Sequence, residues 1–485
     1  MITDFLLHSA KEFPRKTALI FEDSEINYFD LNQKALSLAQ TLKKNKPHVV
    51  SLLLSNSIDF CISFFGILYS GNICHIIPTS ISDTNLKNQL KLTNPTLIIT
   101  NSIFQKKLSR INLIEEYSSL DISTFDFKQN SIAQHESDSS LNSSTIALIL
   151  FSAGTTSIPK AVQLSHNNIE NTVNRVTNYL NITSNDIDVI SLPLSHSFGL
   201  GCLNCIIKSG GTAILHKNTI NMPNVISSIK NYHATSFAST PTTFQKIIDN
   251  HKSLFQNSIN SIRYLLTNSS PMPNELTNDI LEILDDKKLY TYYGLTEASR
   301  STFHLFKKND KRINSVGKPL SEVQIKIFQD DHECVPLERG EIYIKGPHVS
   351  PGYLSNSSNT NNSQNDWLHT GDIGYFDNDG YLFLIGRKDD MINIGGEKVF
   401  PKEIEDIIGS MKEIDEVAVK GIPDKSLGQI VQAYVVPEQK ISIKDQDIVT
   451  FCKGKLENYK IPRIFTYLSK LPKNEQGKIL RSNLQ

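Results

Sequence analysis

The chain has 485 residues, more than one hydrophobic core ordinarily organises, so we expect two or more domains. Its 49 basic and 50 acidic residues nearly cancel, which excludes a bulk electrostatic field that would steer the protein to nucleic acid or to an anionic membrane. The hydrophobic content of 39% and the charged content of 20% are those of an ordinary globular protein.

The six cysteines are too sparse for a disulfide scaffold in a chain of this length. Cys202 and Cys205 form a CxxC pair, but without a second pair or a histidine-rich partner we expect buried, reduced thiols there and not a zinc site. Residues 1–16 lack the apolar core of a signal peptide, and the longest apolar stretch, Phe60–Tyr69, is too short to span a bilayer. We therefore expect a reducing, cytoplasmic setting.

Helical and strand patterns alternate through the first hundred residues. Apolar side chains recur at helical spacing in Asp30–Leu42, and Asp59–Tyr69 has the pattern of a mostly apolar helix. Val49–Leu54 and Thr96–Thr100 are short apolar runs typical of strands. Strands and helices that alternate at this spacing predict an α/β fold with a parallel sheet.

A polar linker, residues 131–145, precedes a predicted buried strand and a loop of small residues. Thr145–Phe151 is an apolar run typical of a strand buried on both faces. The loop that follows, Ser152–Lys160, has little side-chain bulk, several hydroxyls and a terminal ammonium, which suits it to hold a phosphate. It lacks the second glycine of the Walker pattern, so an ordinary polar turn is the alternative.

A histidine stands where another predicted strand ends. Val189–Gly199 is a strand end that runs into a small-residue turn carrying His196. Such a histidine, taken alone, is more often a packed or capping residue than a functional one. Doubly wound sheets place their ligands at the carboxyl ends of strands, and this position favours a functional role.

Two later strands end in a similar way. Arg263–Thr267 is closed by the polar residues Asn268–Ser270, and Leu289–Tyr293 leads into a glycine and further polar groups. Thr296 and Glu297 offer the oxygen ligands that a magnesium–nucleotide complex uses. A helix N-cap with an acid in its first turn explains these two residues equally well.

The rest of the chain indicates a β-rich subdomain and then a small α+β domain. Gly340–Tyr353 alternates short strands with turns, Trp367–Asp372 is predicted to end a strand, and the α+β pattern starts at Met391. Its predicted elements are strands at Glu413–Gly421 and Gln429–Pro437 and a helix whose buried face carries Ile448, Phe451, Cys452 and Leu456. The polar loop Pro472–Lys478 carries lysines that on their own are solubilising charges.

Taken together and in this order, these segments resemble the motifs of the adenylate-forming superfamily. That superfamily includes acyl-CoA synthetases, aryl-CoA ligases, peptide-synthetase adenylation domains and firefly luciferase, and the resemblance runs through most of the chain. The similar segments are the phosphate loop Ser152–Lys160, the aromatic/His-Gly segment Pro193–Gly199, the YGxTE motif Tyr293–Glu297, the ribose and hinge motifs Thr370–Asp372 and Gly386–Gly396, and the PKxxxGK signature Pro472–Lys478.

The resemblance implies a fold and an activity. The fold is α/β, with a large N-terminal domain, 1–386, of parallel-rich sheets with helices plus a β-rich subdomain, and a small mobile α+β C-terminal domain, 387–485, hinged near Asp389. The activity is that of an AMP-forming acid–thiol ligase, which uses ATP and Mg²⁺ to make an acyl-AMP from a carboxylic acid and then passes the acyl group to a thiol, most simply that of CoA. The alternatives are a ligase that loads a carrier-protein phosphopantetheine in trans, and a catalytically silent nucleotide-binding sensor or scaffold.

The same resemblance implies roles for individual residues. Lys478 would reach the carboxylate and the α-phosphate, and Glu297 would hold magnesium. The residues implied as catalytic are Lys478, Thr296, Glu297 and His196. Those implied as nucleotide-binding are Ser152, Gly154, Thr155, Thr156, Lys160, Ser270, Tyr293, Gly294, Asp372 and Arg387. Candidates for binding the phosphates of CoA are Lys388, Lys398 and Lys460.

Departures from the family pattern bear on rate and substrate. Ala153 and Ser157 replace the usual small hydroxyl or glycine residues. We expect the phosphate loop to have less conformational freedom and to move more slowly. Tyr292 stands where CoA ligases often have glycine, and its ring would shorten or redirect the acyl pocket. His196–Gly199 contains no acid that could hold a substrate ammonium, so the expected substrate is a fatty, hydroxy or aryl carboxylic acid.

Overall fold

The computed structural model describes residues 1–44, 46–127, 142–152, 159–330, 332–354, 363–364, 367–438, 443–473 and 479–484. It divides into two compact units. The first is formed by residues 1–153, 159–324 and 345–366, and the second by residues 325–344 and 367–485. The predicted domain boundary and hinge near Asp389 stay a prediction.

The helices are distributed over both units. They are α1 (Thr3–Glu12), α2 (Tyr28–Leu42), α3 (Ile58–Tyr69), α4 (Asp83–Thr93), α5 (Ser102–Arg110), α6 (His166–Leu180), α7 (Ser197–Lys208), α8 (Met222–Asn231), α9 (Pro241–Gln256), α10 (Asn274–Leu284), α11 (Pro401–Ile408) and α12 (Asp445–Cys452). Two short 3₁₀ turns are formed by Ile122–Thr124 and Arg481–Asn483.

The described strands range in length from 2 residues in β17 to 11 residues in β25. They are β1 (Thr17–Phe21), β2 (Ser24–Asn27), β3 (Val49–Leu52), β4 (Ile73–Ile76), β5 (Leu97–Thr100), β6 (Ser119–Asp121), β7 (Ile146–Ser152), β8 (Lys160–Ser165), β9 (Ile187–Ile190), β10 (Thr212–Leu215), β11 (Ser236–Ser239), β12 (Tyr264–Thr267), β13 (Lys288–Tyr293), β14 (Thr302–Phe306), β15 (Ser315–Pro319), β16 (Gln324–Gln329), β17 (His332–Glu333), β18 (Gly340–Lys345), β19 (Gly352–Tyr353), β20 (Ser363–Gln364), β21 (Trp367–Phe376), β22 (Leu382–Arg387), β23 (Ile392–Ile394), β24 (Glu397–Val399), β25 (Ile414–Asp424), β26 (Gly428–Pro437) and β27 (Ile464–Tyr467).

Helices begin where a polar side chain can satisfy free backbone amides. The Asn27 side chain accepts from the amide of Asp30 at the start of α2, and Ser57 accepts from the amide of Phe60 at the start of α3. Every residue of α3 from Phe60 to Tyr69 is buried, as expected of a helix that is apolar all round. Both helices confirm the predictions made from periodicity.

The first unit contains two mixed sheets with parallel centres, which confirms the predicted α/β class. In one sheet the order is β2-β1-β10-β9-β11-β12-β13-β14-β15, and the strands from β1 to β13 along this path are parallel. In the other the order is β6-β5-β3-β4-β7-β8-β19, and β8 pairs antiparallel with both β7 and β19. Because β9, β12 and β13 run in the same direction, the three polar turns that follow them lie at one edge of the sheet.

The second unit combines antiparallel strands with the small α+β fold. Its first sheet path is β17-β16-β18-β21-β22. Its second sheet has the order β24-β23-β26-β25, with β27 added parallel to β26. An apolar core from α11, α12 and this sheet includes Ile404, Ile408, Val431 and Ile448.

Two element boundaries differ from the prediction. Helix α12 ends at Cys452, so Leu456 is not on its face; Leu456 reaches the same core from the turn after the helix. Strand β21 continues to Phe376, so Asp372 lies within a strand and not at its end. Among the described residues, no helix has the length and apolar character needed to cross a membrane.

Candidate functional site

The predicted phosphate loop is anchored by two paired strands of the first unit. Ser152 is the last residue of β7, Lys160 is the first of β8, and the two residues face each other in the antiparallel register. Gly154, Thr155 and Thr156 lie outside the described residues, as do Ala153 and Ser157. The phosphate-binding role of the loop therefore stays a prediction.

Tyr353 connects Lys160 with Glu297. The Lys160 ammonium lies 5.1 Å from the centre of the Tyr353 ring, a cation–π distance. The Tyr353 hydroxyl donates to Oε1 of Glu297 at 2.9 Å. Strand β19 carries Tyr353 and pairs with β8, so backbone pairing sets the position of the ring. The structure thus brings together two predicted residues that are 137 positions apart in the chain (297 − 160).

Thr296 and Glu297 lie in a tight loop between β13 and β14. No helix starts in this described segment, so the alternative of a helix N-cap is wrong. Gly294 is required at the start of the loop, because a Cβ there would lie 2.4 Å from the backbone nitrogen of Arg300. The amide of Ser350 donates to the carbonyl of Glu297 at 2.7 Å and holds the loop from its other side.

The segment before Ser270 is joined to the end of β13. The Asn268 side chain donates to the carbonyl of Tyr292 at 2.8 Å, and Ser269 has a positive φ of 89°. Ser270 is half-buried next to this turn, and Tyr293 is buried where β13 ends. Both residues lie at the carboxyl edge of neighbouring parallel strands, as predicted; their contacts with adenine stay a prediction.

His196 is the N-cap residue of α7. Its backbone is extended, and its carbonyl accepts the first helical hydrogen bond from Leu200 at 3.0 Å. Its side chain makes no capping hydrogen bond, so His196 occupies the capping position through its backbone and not through its imidazole. The half-buried imidazole stands at the positive end of a helix dipole, a suitable place to face an anionic substrate.

A buried arginine joins the His196 segment to the loop that carries Glu297. Arg300 is 2% exposed, and its guanidinium donates to the carbonyls of Ser197 at 3.1 Å and Phe198 at 2.9 Å. Nothing in the sequence marks Arg300 for burial, since arginine is mostly exposed in proteins. Its place three residues after Glu297 is the one signal that associates it with the site.

In the second unit, Asp372 and Arg387 face each other on adjacent strands. They are partners in the register of β21 and β22, and Arg387 Nη1 lies 2.8 Å from Oδ1 of Asp372. The same nitrogen donates to the carbonyl of Thr370 at 2.8 Å. The arginine thereby orients the buried carboxylate, so both residues are held in fixed positions before any ligand binds.

The predicted hinge residue lies in a turn. Asp389 is exposed just after β22, and its neighbour Lys388 bonds Glu341 at 2.8 Å. This hydrogen bond raises the pKa of Lys388 above its ordinary value. Gly395 and Gly396 form the two-residue loop between β23 and β24 with φ of 61° and 97°, the geometry that a tight hairpin requires.

The three lysines suggested for CoA differ in exposure. Lys460 is buried and pairs with Glu403 at 2.6 Å and with Glu457 at 2.9 Å. A CoA phosphate would have to compete with these two carboxylates, and the suggestion for Lys460 stays a prediction. Lys398 is exposed on β24. Lys478 lies outside the described residues, and its role stays a prediction.

The second unit also contains a cluster with metal-ligand chemistry. One ligand atom each from His332, Cys334 and Glu338 lies within 4.8 Å of the other two. The His332 imidazole is 3.0 Å from Glu338, and the histidine is exposed. A surface hydrogen-bonded pair explains this cluster, and we assign it no role in the site.

Comparisons with known proteins agree with these observations. The model of the AMP-binding enzyme family matches residues 6–354, and that of the AMP-binding enzyme C-terminal domain matches residues 403–478. The chain is 30% identical over 491 residues to the 2-succinylbenzoate–CoA ligase of Bacillus subtilis, covering 99% of this chain and 97% of that protein.

Solved structures give the same result. O-succinylbenzoate CoA synthetase of Bacillus subtilis, in complex with the acyl-adenylate intermediate, superposes with a TM-score of 0.88 at 28% identity and covers 99% of this chain and 97% of that one. The complex of that synthetase with ATP and magnesium ion gives a TM-score of 0.88 at 28% identity, covering 99% and 98% of the two chains.

Proposed function

This chain belongs to the AMP-binding enzyme family, and on that premise we propose that it is an ATP-dependent acid–thiol ligase of the acyl-CoA synthetase type. It activates a carboxylic acid as acyl-AMP with release of pyrophosphate, and then transfers the acyl group to the thiol of CoA with release of AMP. The observation that carries the proposal is the Lys160–Tyr353–Glu297 contact, which joins the end of the predicted phosphate loop to the predicted magnesium ligand within one unit.

The first step brings two anions together, so its barrier is largely electrostatic. A carboxylate attacks the α-phosphate in line while pyrophosphate leaves, and the growing negative charge needs cations and hydrogen-bond donors. Lys478 supplies a cation beside the carboxylate and the α-phosphate. The loop from Ser152 to Lys160, with Gly154, Thr155 and Thr156, holds the β- and γ-phosphates.

Magnesium fits the residues of the loop after β13. Glu297 is a half-buried carboxylate held in place by Tyr353, and Thr296 adds a hydroxyl next to it. Oxygen ligands of this kind suit magnesium, which usually takes one or two carboxylates together with substrate phosphates. A bound Mg²⁺ would neutralise phosphate charge as pyrophosphate departs. Its ligand here is Glu297.

Five of the predicted residues are assigned to the nucleoside. Tyr293, Gly294 and Ser270 border the adenine at the edge of the parallel sheet. Asp372 accepts both ribose hydroxyls, because an ionised carboxylate has only acceptor sites. Arg387 keeps that carboxylate in position, and the 2.8 Å distance between them supports this role.

The second step uses the acyl-AMP with a thiol as nucleophile. We assign the hinge of the small domain to Asp389, and its exposed turn supports that assignment. Gly395 and Gly396 present backbone without side-chain bulk, which would allow the thin pantetheine arm to pass close by. CoA is the proposed acceptor, since the relatives described above are CoA ligases. A carrier-protein phosphopantetheine, acting in trans, is the competing acceptor.

We place the enzyme in a reducing, cytoplasmic compartment. Its cysteines are free thiols, and five of the six are buried. Burial raises the pKa of the Cys202 and Cys205 thiols, so this CxxC pair is a poor nucleophile and a poor metal ligand.

Acid-dependent ATP–pyrophosphate exchange tests the proposal. The full chain is incubated with ATP, Mg²⁺, labelled pyrophosphate and a panel of fatty, hydroxy and aryl acids that includes 2-succinylbenzoate. Exchange that requires one of these acids is expected, and product analysis with CoA or a carrier protein then identifies the acceptor. ATP binding without exchange for any acid would contradict the proposal and favour a silent nucleotide-binding protein.

A further inference from the structure

Arg300 fills a space next to the aromatic side chains of the His196 segment and of β13. Its guanidinium carbon lies 5.0 Å from the ring centre of Tyr292 and 5.9 Å from that of Phe198. The two rings contact each other edge to face, with centres 5.4 Å apart. Two aromatic rings and a guanidinium thus form one packed layer, which we name the Arg300 layer.

Helix α7 is shaped to admit this side chain. A Cβ on Gly201 would lie 2.1 Å from Nη1 of Arg300, so only glycine leaves room for the guanidinium. The donors on its two terminal nitrogens are directed at the carbonyls of Ser197 and Phe198 in the first turn of α7. The arginine is therefore locked in position by steric fit and by hydrogen bonds.

A small, mostly apolar cavity lies next to Arg300. It holds about 20 Å³, enough for one water molecule. Asp188 and Tyr264 contribute polar groups, and Gly201 and Arg300 itself line one side. The apolar residues that line it include Val176, Leu180, Ile182, Ile206, Ala238 and Leu266. Without the arginine side chain, this cavity would extend to the aromatic rings.

Arg300 is a buried cation with no acidic partner among the described residues, and its Nε has no hydrogen-bond partner. Burial lowers its pKa, but Tyr292, Cys202 and Cys205 raise it, so that the pKa lies above its ordinary value. Burial raises the pKa of nearby Asp188 to about 7, so that carboxyl is not a firm counter-ion at neutral pH. Burying a cation under these conditions costs more than burying an apolar side chain, which points to a role other than stabilising the core.

We propose that Arg300 determines the acid specificity of the enzyme by closing the acid pocket at the Arg300 layer. Compact acids fit in front of the layer, and long aliphatic chains are excluded because the arginine occupies the path to the apolar cavity. The inference rests on the proposed function, in which His196–Gly199 borders the bound acid. Arg300 acts through the volume of its side chain. Its terminal nitrogens already donate to backbone carbonyls, so we do not assign the guanidinium to binding an anionic group of the acid.

Two substitutions separate volume from charge. Arg300→Ala removes the side chain and opens the cavity, whereas Arg300→Met keeps most of the length and removes the charge. ATP–pyrophosphate exchange is measured for wild type and both variants with linear acids from acetate to dodecanoate. Each rate is normalised to the best acid of the wild type, and thermal unfolding checks that the variants fold.

The wild type should favour the compact acids and exchange poorly with dodecanoate. Arg300→Ala should raise the relative rate with acids a few methylenes longer than the best wild-type acid by roughly tenfold or more, since a few methylenes placed in an apolar pocket discriminate by at least this factor. Arg300→Met should keep the wild-type profile. Agreement with all three expectations would support the role of Arg300 as the closing residue.

Other outcomes would overturn the inference, and they differ from failure of the proposed function. If the wild type exchanges with some acid but the profile of Arg300→Ala is unchanged, the inference alone is wrong. If Arg300→Met broadens the profile as much as Arg300→Ala, closure by volume is wrong. Should Arg300→Ala not fold, equal use of dodecanoate and short acids by the wild type would still refute it. If the wild type exchanges with no acid at all, the proposed function itself is wrong.

Discussion

Two regions of the first unit differ in how their residues are brought together. On the phosphate and metal side, Lys160, Tyr353 and Glu297 meet through one cation–π contact and one hydrogen bond between partly exposed groups. On the acid side, Arg300 is fully buried between Phe198 and Tyr292 and lies in a notch left by a glycine. The first region is built from polar groups that bind charge, and the second from packed volume.

The difference predicts two kinds of failure. Substitutions on the phosphate and metal side remove groups that we propose to stabilise charge in the transition state, so turnover should fall for every acid. Substitutions on the acid side change which acids fit, so the relative rates should change. The variants of Arg300 described above test the second kind, and the predictions for Glu297 and Tyr353 below test the first.

The largest effect is expected for Lys478→Ala. Adenylate formation should fall by about 10²–10³-fold, because the cation proposed to stabilise transition-state charge is removed. Thioester formation from supplied acyl-adenylate should largely survive, since Lys478 is proposed to act only in the first step. Both half-reactions are measured separately, and an equal loss of the two would contradict the assignment of Lys478 to the first step.

Glu297→Ala should follow, with a loss of roughly 10²-fold in exchange, because magnesium loses its proposed carboxylate ligand. The concentration of Mg²⁺ needed for half-maximal exchange should also rise. Glu282→Ala, which removes an exposed carboxylate on α10 of the same unit, is the matched control and should leave the Mg²⁺ dependence unchanged. An unchanged Mg²⁺ dependence in Glu297→Ala would exclude it as the metal ligand.

Asp372→Asn should raise the KM for ATP by about tenfold, because an amide cannot replace both acceptor sites of the carboxylate and the bond to Arg387 is weakened. Initial rates at varied ATP measure this effect. Glu333→Gln removes a carboxylate from an exposed ion pair with Lys326 in the same unit and should have almost no effect. A similar KM for both variants would refute a role of Asp372 in binding ribose.

The smallest effect is expected for Tyr353→Phe. It removes one hydrogen bond to Glu297 and keeps the ring under the Lys160 ammonium, so exchange should fall by only about 2–10-fold. Tyr353→Ala removes both contacts and should cost more. If both variants exchange at the wild-type rate, the contacts of Tyr353 with Lys160 and Glu297 do not contribute to adenylate formation.

The phosphate and metal side was largely predictable from sequence because its residues are polar and follow strand ends. Thr296 and Glu297 follow β13, and Lys160 begins the strand after the predicted loop. The pairing of Asp372 with Arg387 depends on the register of β21 and β22, which a separation of 15 positions in the chain (387 − 372) does not reveal. Tyr353 was not predicted either, since its contact with Glu297 depends on β19 pairing with β8.

The acid side was less predictable because its geometry depends on packing. Gly201 has meaning only once Arg300 is placed against it, and the two are far apart in sequence. Lys460 shows the same limit: its charge suggested a phosphate contact, but folding buries it against Glu403 and Glu457. Tertiary contacts decide whether a charged side chain is free to bind a ligand.

The central claim is that one chain carries out two successive reactions on one acid. The direct test is a quenched incubation of the full chain with ATP, Mg²⁺ and its best acid, analysed by mass spectrometry before and after CoA is added. We predict acyl-AMP before CoA, and loss of acyl-AMP with an equal gain of acyl-CoA afterwards. ATP hydrolysis without acyl-AMP, or acyl-AMP that persists unchanged in the presence of CoA, would contradict the account.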